Sequence, residues 1–223
     1  MISIKNLVKI FNEDKPNACK ALGGLSLEIQ DGECIAITGK SGSGKSTLLN
    51  ILCGIESASS GEVIVDGIDI TRLKDVELAK YRSQNIGVVM QDFCLINECS
   101  ALENVMLPLN FIKMKGSERI KRASELIYGV GLGHFLKKKV SQLSGGEKQR
   151  VAIARALAAD AKYIFADEPT GALDTSTSKE IMDMLLRINA KGKTIVLVTH
   201  ELSIAERCSR IININDGKTD SPH

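Results

Sequence analysis

The chain has 223 residues, 43% hydrophobic and 25% charged, the profile of one well-packed domain or one domain with a smaller subdomain, large enough to need no disulfide staples. With 29 basic and 27 acidic residues the net charge is only +2, which sets up no global field toward nucleic acid or an anionic membrane, so partners have to be argued from sites. The apolar runs are strand-length, far short of the ~20 residues that span a bilayer, and Met1–Asn6 lacks the layout of a signal peptide. A chain that neither crosses a membrane nor leaves by the general export route is expected.

Ile2, Ile4, Leu7 and Ile10 open the chain, and Leu25, Leu27 and Ile29 alternate with polar residues, as half-buried antiparallel strands do. Cys34 to Thr38 is a continuous apolar run that ends in a Gly/Ser-rich loop, followed by helical spacing from Ser46 to Leu52. Further strands are expected at Glu62 to Val65 and Ile86 to Met90, with a polar helix from Asp75 to Arg82 between them. From Ala101 to about Tyr128 the pattern is wholly helical, and another helix runs from Gln149 to Ala159 with Val151, Ile153, Ala154 and Leu157 on its apolar face. Tyr163 to Ala166 reads as a buried strand, Ser176 to Arg187 as a helix, Thr194 to Thr199 and Arg210 to Ile214 as strands. Alternation of this kind predicts an α/β fold, mainly parallel, with helices on both faces and an antiparallel flank.

The six cysteines, Cys19, Cys34, Cys53, Cys94, Cys99 and Cys208, include no C-x-x-C pair. They read as reduced and mostly core residues, with no metal site built from them; a disulfide or zinc reading is conceivable for Cys94 and Cys99 alone.

Gly39-Lys40-Ser41-Gly42-Ser43-Gly44-Lys45-Ser46 matches G-x-x-x-x-G-K-[ST] between a predicted strand and a predicted helix, which is the context a P-loop requires. Its glycines let consecutive N–H groups face a polyphosphate, and the helix start adds partial positive charge. Lys45 suits the β- and γ-phosphates of ATP, and the Ser46 hydroxyl suits Mg²⁺. The strand Tyr163 to Ala166 runs into Asp167 and Glu168. An acidic pair closing a strand is ordinarily a solvated turn, but beside a P-loop Asp167 suits the Mg²⁺ shell and Glu168 suits activation of the attacking water.

Leu143-Ser144-Gly145-Gly146-Glu147-Lys148-Gln149-Arg150 resembles the LSGGQ signature of ABC ATPases. Locally the same residues describe a capped helix start, Ser144 as N-cap with Glu147 closing a capping box, and such a start is itself an anion site. The resemblance extends in order along nearly the whole chain. It implies that Gln91 is the Q-loop glutamine, touching Mg²⁺ and water, that Gly171 to Asp174 is the D-loop, that His200 is the switch histidine, and that Phe11 stacks on adenine. It places Thr47 with the phosphate-binding set, and Ser144, Gly145, Gly146, Glu147 and Asp174 toward nucleotide held by a second subunit.

Ala101 to Leu109 and Asp167 to Asp174 are similar to the ATPases of lipoprotein-release and macrolide- or peptide-efflux systems, a subfamily that also includes a cell-division ATPase. Asn97 and Val140 depart from prolines usual there and leave the substrate class open, while Glu147 replaces the signature Gln. The resemblance implies a P-loop NTPase fold of ABC type. Its core covers 1–91 and 158–223, and a helical subdomain covers roughly 92–157. It further implies a homodimer sandwiching ATP, a cytoplasmic location on the inner face of the membrane through a permease on another chain, and no nucleic-acid partner. Transport and mechanical signalling remain alternatives at this point.

Overall fold

The computed structural model describes residues 1–219. In chain order the elements are β1 (Ile2–Phe11), β2 (Cys19–Ile29), β3 (Cys34–Thr38), α1 (Lys45–Leu52), β4 (Ser60–Val65), β5 (Ile68–Asp69), α2 (Asp75–Asn85) and β6 (Ile86–Met90). They continue as α3 (Ala101–Met106), α4 (Gly116–Gly129), α5 (Gly145–Leu157), β7 (Tyr163–Asp167), α6 (Thr175–Asn189), β8 (Thr194–Val198), α7 (Leu202–Ala205), β9 (Arg210–Asn215) and β10 (Lys218–Thr219). The chain divides into two compact units: Met1–Tyr81 with the chain from Thr194 onward, and Arg82–Lys193.

In the first unit, β2, β1, β4 and β5 form an antiparallel sheet in that order. Ile2, Ile4 and Leu7 of β1 are buried, and Asn6, at φ 48, marks the irregularity that brings Leu7 back to the core face. β3 lies parallel to both β8 and β9, with β10 antiparallel on β9. Every residue of β3 and β8 is buried, which is why both strands read as unbroken apolar runs. Each fully buried Ile, Leu or Val contributes about 1.5–3 kcal/mol relative to exposure. Tyr81 anchors the end of this unit by donating its hydroxyl to the Leu52 carbonyl at 3.0 Å.

In the second unit, β6 and β7 pair in parallel from Ile86↔Tyr163 to Met90↔Asp167. Gly87 is obligatory there, because a Cβ would lie 2.3 Å from the Ala156 carbonyl oxygen of α5. Helices α3, α4 and α5 pack on one another. Ser100 caps α3 in a capping box with Glu103, and the buried Asn104 holds the preceding loop by bonding Ile96 N (2.8 Å), Ile96 O (3.0 Å) and Ser100 O (3.0 Å).

The mixed parallel and antiparallel pairings agree with the expected α/β architecture. The helical pattern from Ala101 to Tyr128 is corrected: α3 stops at Met106, a 3-10 turn covers Leu107–Phe111 with Pro108 at its start, and α4 begins only at Gly116. Proline cannot donate to a helical ladder, so the turn tightens there. The cysteines are also less uniformly internal than expected. Cys34 and Cys53 are buried, Cys19 and Cys94 are exposed, and Cys99 and Cys208 are intermediate.

Candidate functional site

In the first unit, β3 delivers the chain at Thr38 into a loop whose Gly39, Gly42 and Gly44 have φ of 145, 78 and 101. A Cβ on Gly39 would sit 2.2 Å from the Ile214 carbonyl oxygen, and one on Gly44 would sit 2.4 Å from the Ala21 carbonyl oxygen. Only glycine allows both the dihedrals and this proximity. Helix α1 then starts from Gly44 with no side-chain cap and no acidic residue in its first turn. The buried Ser43 Oγ has no hydrogen-bond partner among the described residues. Unclaimed N–H groups at a helix start, beside an unused buried hydroxyl, fit an anionic phosphate.

Lys45 Nζ donates to the carbonyls of Gly39 (2.9 Å) and Lys40 (2.8 Å), which fastens the ammonium across the loop. Ser41 and Ser46 are exposed and Thr47 is half-buried at the helix start. Within the same unit a cavity of about 390 Å³ is lined by Thr38, Gly39, Lys40, His200 and the β9 residues Asn213 to Asn215. His200, exposed just after β8, is thus brought to the loop. Phe11 ends β1, half-buried, with Lys9 Nζ 4.9 Å from its ring centroid. One ring face therefore already carries a cation.

In the second unit, the Met90↔Asp167 register makes Gln91 and Glu168 leave adjacent strands side by side. A Cβ at Gly171 would lie 3.1 Å from Gln91 Nε2 and 3.5 Å from Glu168 Cβ, so the glutamine amide reaches over Gly171 toward the glutamate stem. Glu168 sits at φ 45, in the left-handed region, and its carbonyl accepts from Gly171 N at 3.1 Å. Gln91 and Asp167 share a cavity of about 550 Å³ with Met90, Asp92, Phe93, Cys94 and Ala172. Gln91, Asp167 and Glu168 are accordingly one cluster.

The signature residues form the local structure expected of them. Ser144 Oγ accepts from Glu147 N at 3.4 Å, and Glu147 Oε2 accepts from Ser144 N (2.7 Å) and Ser144 Oγ (3.0 Å). The backbone bond from Ser144 holds the Glu147 carboxyl below its ordinary range. Asp174 caps α6, accepting from Thr177 Oγ1 (2.6 Å) and Thr177 N (3.0 Å), and the hydroxyl bond above all lowers its pKa. Gly145 and Gly146 allow the two helix starts to meet, since Cβ atoms there would lie 3.3 Å from Leu173 Cδ2 and 2.5 Å from Thr177 Cγ2.

Two residues were not anticipated. Gln149, fully buried, donates Nε2 to the Pro169 carbonyl at 2.7 Å and so links α5 to the turn after Glu168. Arg155 donates to the carbonyls of Phe93 (2.9 Å) and Cys94, which occupy consecutive left-handed conformations at φ 64 and φ 47. Burial holds its pKa below the usual guanidinium value. Both read locally as polar residues on a helix, and nothing in their own neighbourhood of sequence announces a partner so far along the chain.

Residues 22–171 match the family model described as ABC transporter. The chain belongs to the ABC transporter family. It is 45% identical over 219 residues to the lipoprotein-releasing system ATP-binding protein LolD of Syntrophus aciditrophicus, covering 98% of both chains. It is 42% identical over 218 residues to the macrolide export ATP-binding/permease protein MacB of Neisseria gonorrhoeae, a match that takes in 98% of this chain and 34% of that one. Among solved structures, the dimeric post-hydrolysis state of the ATP-binding cassette MJ0796 bound to ADP and Pi superposes with a TM-score of 0.91 at 45% identity, covering 99% of this chain and 97% of that one. The fold is that of an ABC ATPase cassette, as expected from the motifs. No helix among the described residues is long and apolar enough to cross a membrane.

Proposed function

We propose that this ABC cassette binds and hydrolyses ATP to drive a membrane permease carried on another chain, with lipoprotein, peptide or macrolide export as the cargo class. The observation that carries the reading is the loop before α1. It combines glycines that admit no side chain, an uncapped helix start and a buried, unused Ser43 hydroxyl. That combination supports a bound polyphosphate held by residues 39 to 47, with Lys40, Ser41, Gly42, Lys45 and Thr47 among its donors. Phe11 offers its ring to the adenine.

Ser46, Gln91 and Asp167 would hold Mg²⁺, and their oxygen donors suit that hard cation. Bound there, the metal would neutralise charge on the phosphate oxygens. Glu168 takes a proton from the attacking water, Gln91 orients that water, and His200 contacts the terminal phosphate. Ser144 to Glu147 and Asp174 serve nucleotide on a second copy of the chain, which gives a homodimer closed by two ATP molecules. Residues of roughly 92–157 act as the helical subdomain, and the permease holds the assembly on the inner face of the cell membrane.

The testing variant is Glu168→Gln, which keeps size and hydrogen bonding and removes the base. ATP binding should persist while hydrolysis falls by at least ~10²–10⁴. ATP with Mg²⁺ should then shift the variant from monomer to dimer in size-exclusion chromatography, and adding Ser144→Arg should abolish the shift. Wild-type hydrolysis by Glu168→Gln would remove both the assigned role and the sandwich reading built on it.

A further inference from the structure

Cys34 opens β3, the strand that leads into the Gly39 loop, and is buried. Cys208 lies just before β9, half-buried and reachable from solvent. The two are 174 positions apart in sequence, yet their sulfurs stand 3.7 Å apart with the Cys34 thiol donating to Cys208 Sγ. The backbone holds them there. Ser209 donates both N (2.8 Å) and Oγ (2.7 Å) to the Cys34 carbonyl, and the parallel β3–β9 ladder starts at Ile35↔Arg210. A disulfide needs sulfurs about 2.05 Å apart, so closing the gap takes a movement of less than ~2 Å, within reach of side-chain rotation.

We propose that Cys34 and Cys208 form a redox-modification site at which a peroxide converts two thiols into an intramolecular disulfide, fastening the strand that leads to the phosphate loop to β9. The roles of the two sulfurs are set by their surroundings. The bond from Cys34 lowers the Cys208 pKa, helped by Arg207, and the same bond together with burial raises that of Cys34. Because Cys208 can be reached from solvent and Cys34 is buried, Cys208 is the attacking sulfur and Cys34 the resolving one. Cys94, by contrast, donates its thiol to Asp92 at 2.9 Å, and partial desolvation of the sulfur together with that bond raises its pKa.

In the first step Cys208 sulfur attacks the peroxide, an S–O bond forms, the O–O bond breaks, and the departing hydroxide takes a proton to become water. In the second, Cys34 sulfur loses its proton and attacks the Cys208 sulfenic acid; the S–S bond forms, the S–O bond breaks, and a second water leaves. Two thiols and one hydrogen peroxide give one disulfide and two waters, the sulfurs losing two electrons to the peroxide. Because β3 leads into Gly39 and Lys40 and β9 ends in Asn213 to Asn215, the bond joins, at their far ends, the two strands that supply walls of the candidate phosphate cavity.

The test treats the full chain with hydrogen peroxide, blocks remaining thiols, and maps disulfide-linked peptides by mass spectrometry, with thermal unfolding in parallel. Expected are a Cys34–Cys208 linked peptide and a Tm rise of at least about 5 °C, since the bridge closes a very long loop. Dithiothreitol should reverse both effects, and Cys208→Ser and Cys34→Ala should each lack both. Should Cys34→Ala fold poorly, Cys208→Ser decides alone, because that position is only half-buried. Recovery of Cys208 as a free thiol, as a sulfinic acid, or joined to any other cysteine overturns the proposal, as does a Cys34–Cys208 bridge that leaves Tm unmoved.

Discussion

Alanine at Gly39 and alanine at Gly42 test the same loop with different physics. Gly39 combines φ 145 with a Cβ position 2.2 Å from the Ile214 carbonyl oxygen, a main-chain atom that cannot rotate aside. That is roughly 1 Å closer than carbon and oxygen tolerate. Gly42, at φ 78, has nothing within 4 Å of its Cβ position. A left-handed conformation costs an L-residue ~1–2 kcal/mol, and the stiffer unfolded chain of an alanine variant returns ~0.4–1 kcal/mol. Gly42→Ala should therefore lose ~1 kcal/mol. Gly39→Ala bears similar or greater dihedral strain and adds an overpacking cost of ~1–3 kcal/mol against β9. The expected difference is ~2 kcal/mol, or ~4–8 °C in Tm for a chain of this size. Thermal unfolding followed by circular dichroism measures it directly, and equal Tm values for the two variants would refute the steric account of the loop.

The capping box gives a prediction with a definite sign. Glu147 has its folded pKa lowered, so its contribution is present above its unfolded value near ~4.3 and is lost as pH falls through the lower folded value. Glu147→Gln keeps a capping acceptor but not the charge, so its Tm deficit relative to wild type should shrink as pH drops from 7 to 3; a constant deficit contradicts this. Phe11→Ala should weaken ATP binding by ~1–3 kcal/mol, the usual worth of base–aromatic stacking, with the fold intact by circular dichroism, and unchanged nucleotide affinity in a fluorescence titration removes Phe11 from the site. The segment after β6, from Gln91 to Ser100, is proposed to dock a cytoplasmic helix of the permease, so Glu substitutions at its half-buried Phe93 and exposed Ile96 should abolish pull-down by the permease while basal ATP hydrolysis survives. Intact assembly in the doubly substituted chain sinks that docking assignment.

The parts legible in sequence are those whose physics is local. Gly39 to Ser46 announces its loop because the spacing of its glycines, lysine and serine is itself the pattern, whatever lies opposite them, and Tyr163 to Ala166 announces a buried strand through an unbroken apolar run. The box of Ser144 and Glu147 was readable for the same reason, the two partners being one helical turn apart. Where the partner lies far along the chain, the reading stops. Arg155 pins carbonyls 61 and 62 positions away, and Gln149 bonds one 20 positions away, so each looks like an ordinary polar residue on a helix. The stretch from Ala101 to Tyr128 failed differently, because helical periodicity persists across Pro108 although the ladder does not.

The two carbonyl bonds made by Lys45 bear on the entropy that the proposed binding of a phosphate to this loop would cost. A lysine free in solvent gives up ~1.5–2 kcal/mol of rotamer freedom when it grips a partner. Here much of that freedom is already gone, lost when the chain folds and not at the encounter. The side chain has only to exchange one set of oxygens for another. Lys45→Ala consequently removes a preassembled cation together with a cross-brace of the loop, so the variant's deficit in nucleotide affinity will overstate what the charge alone contributes.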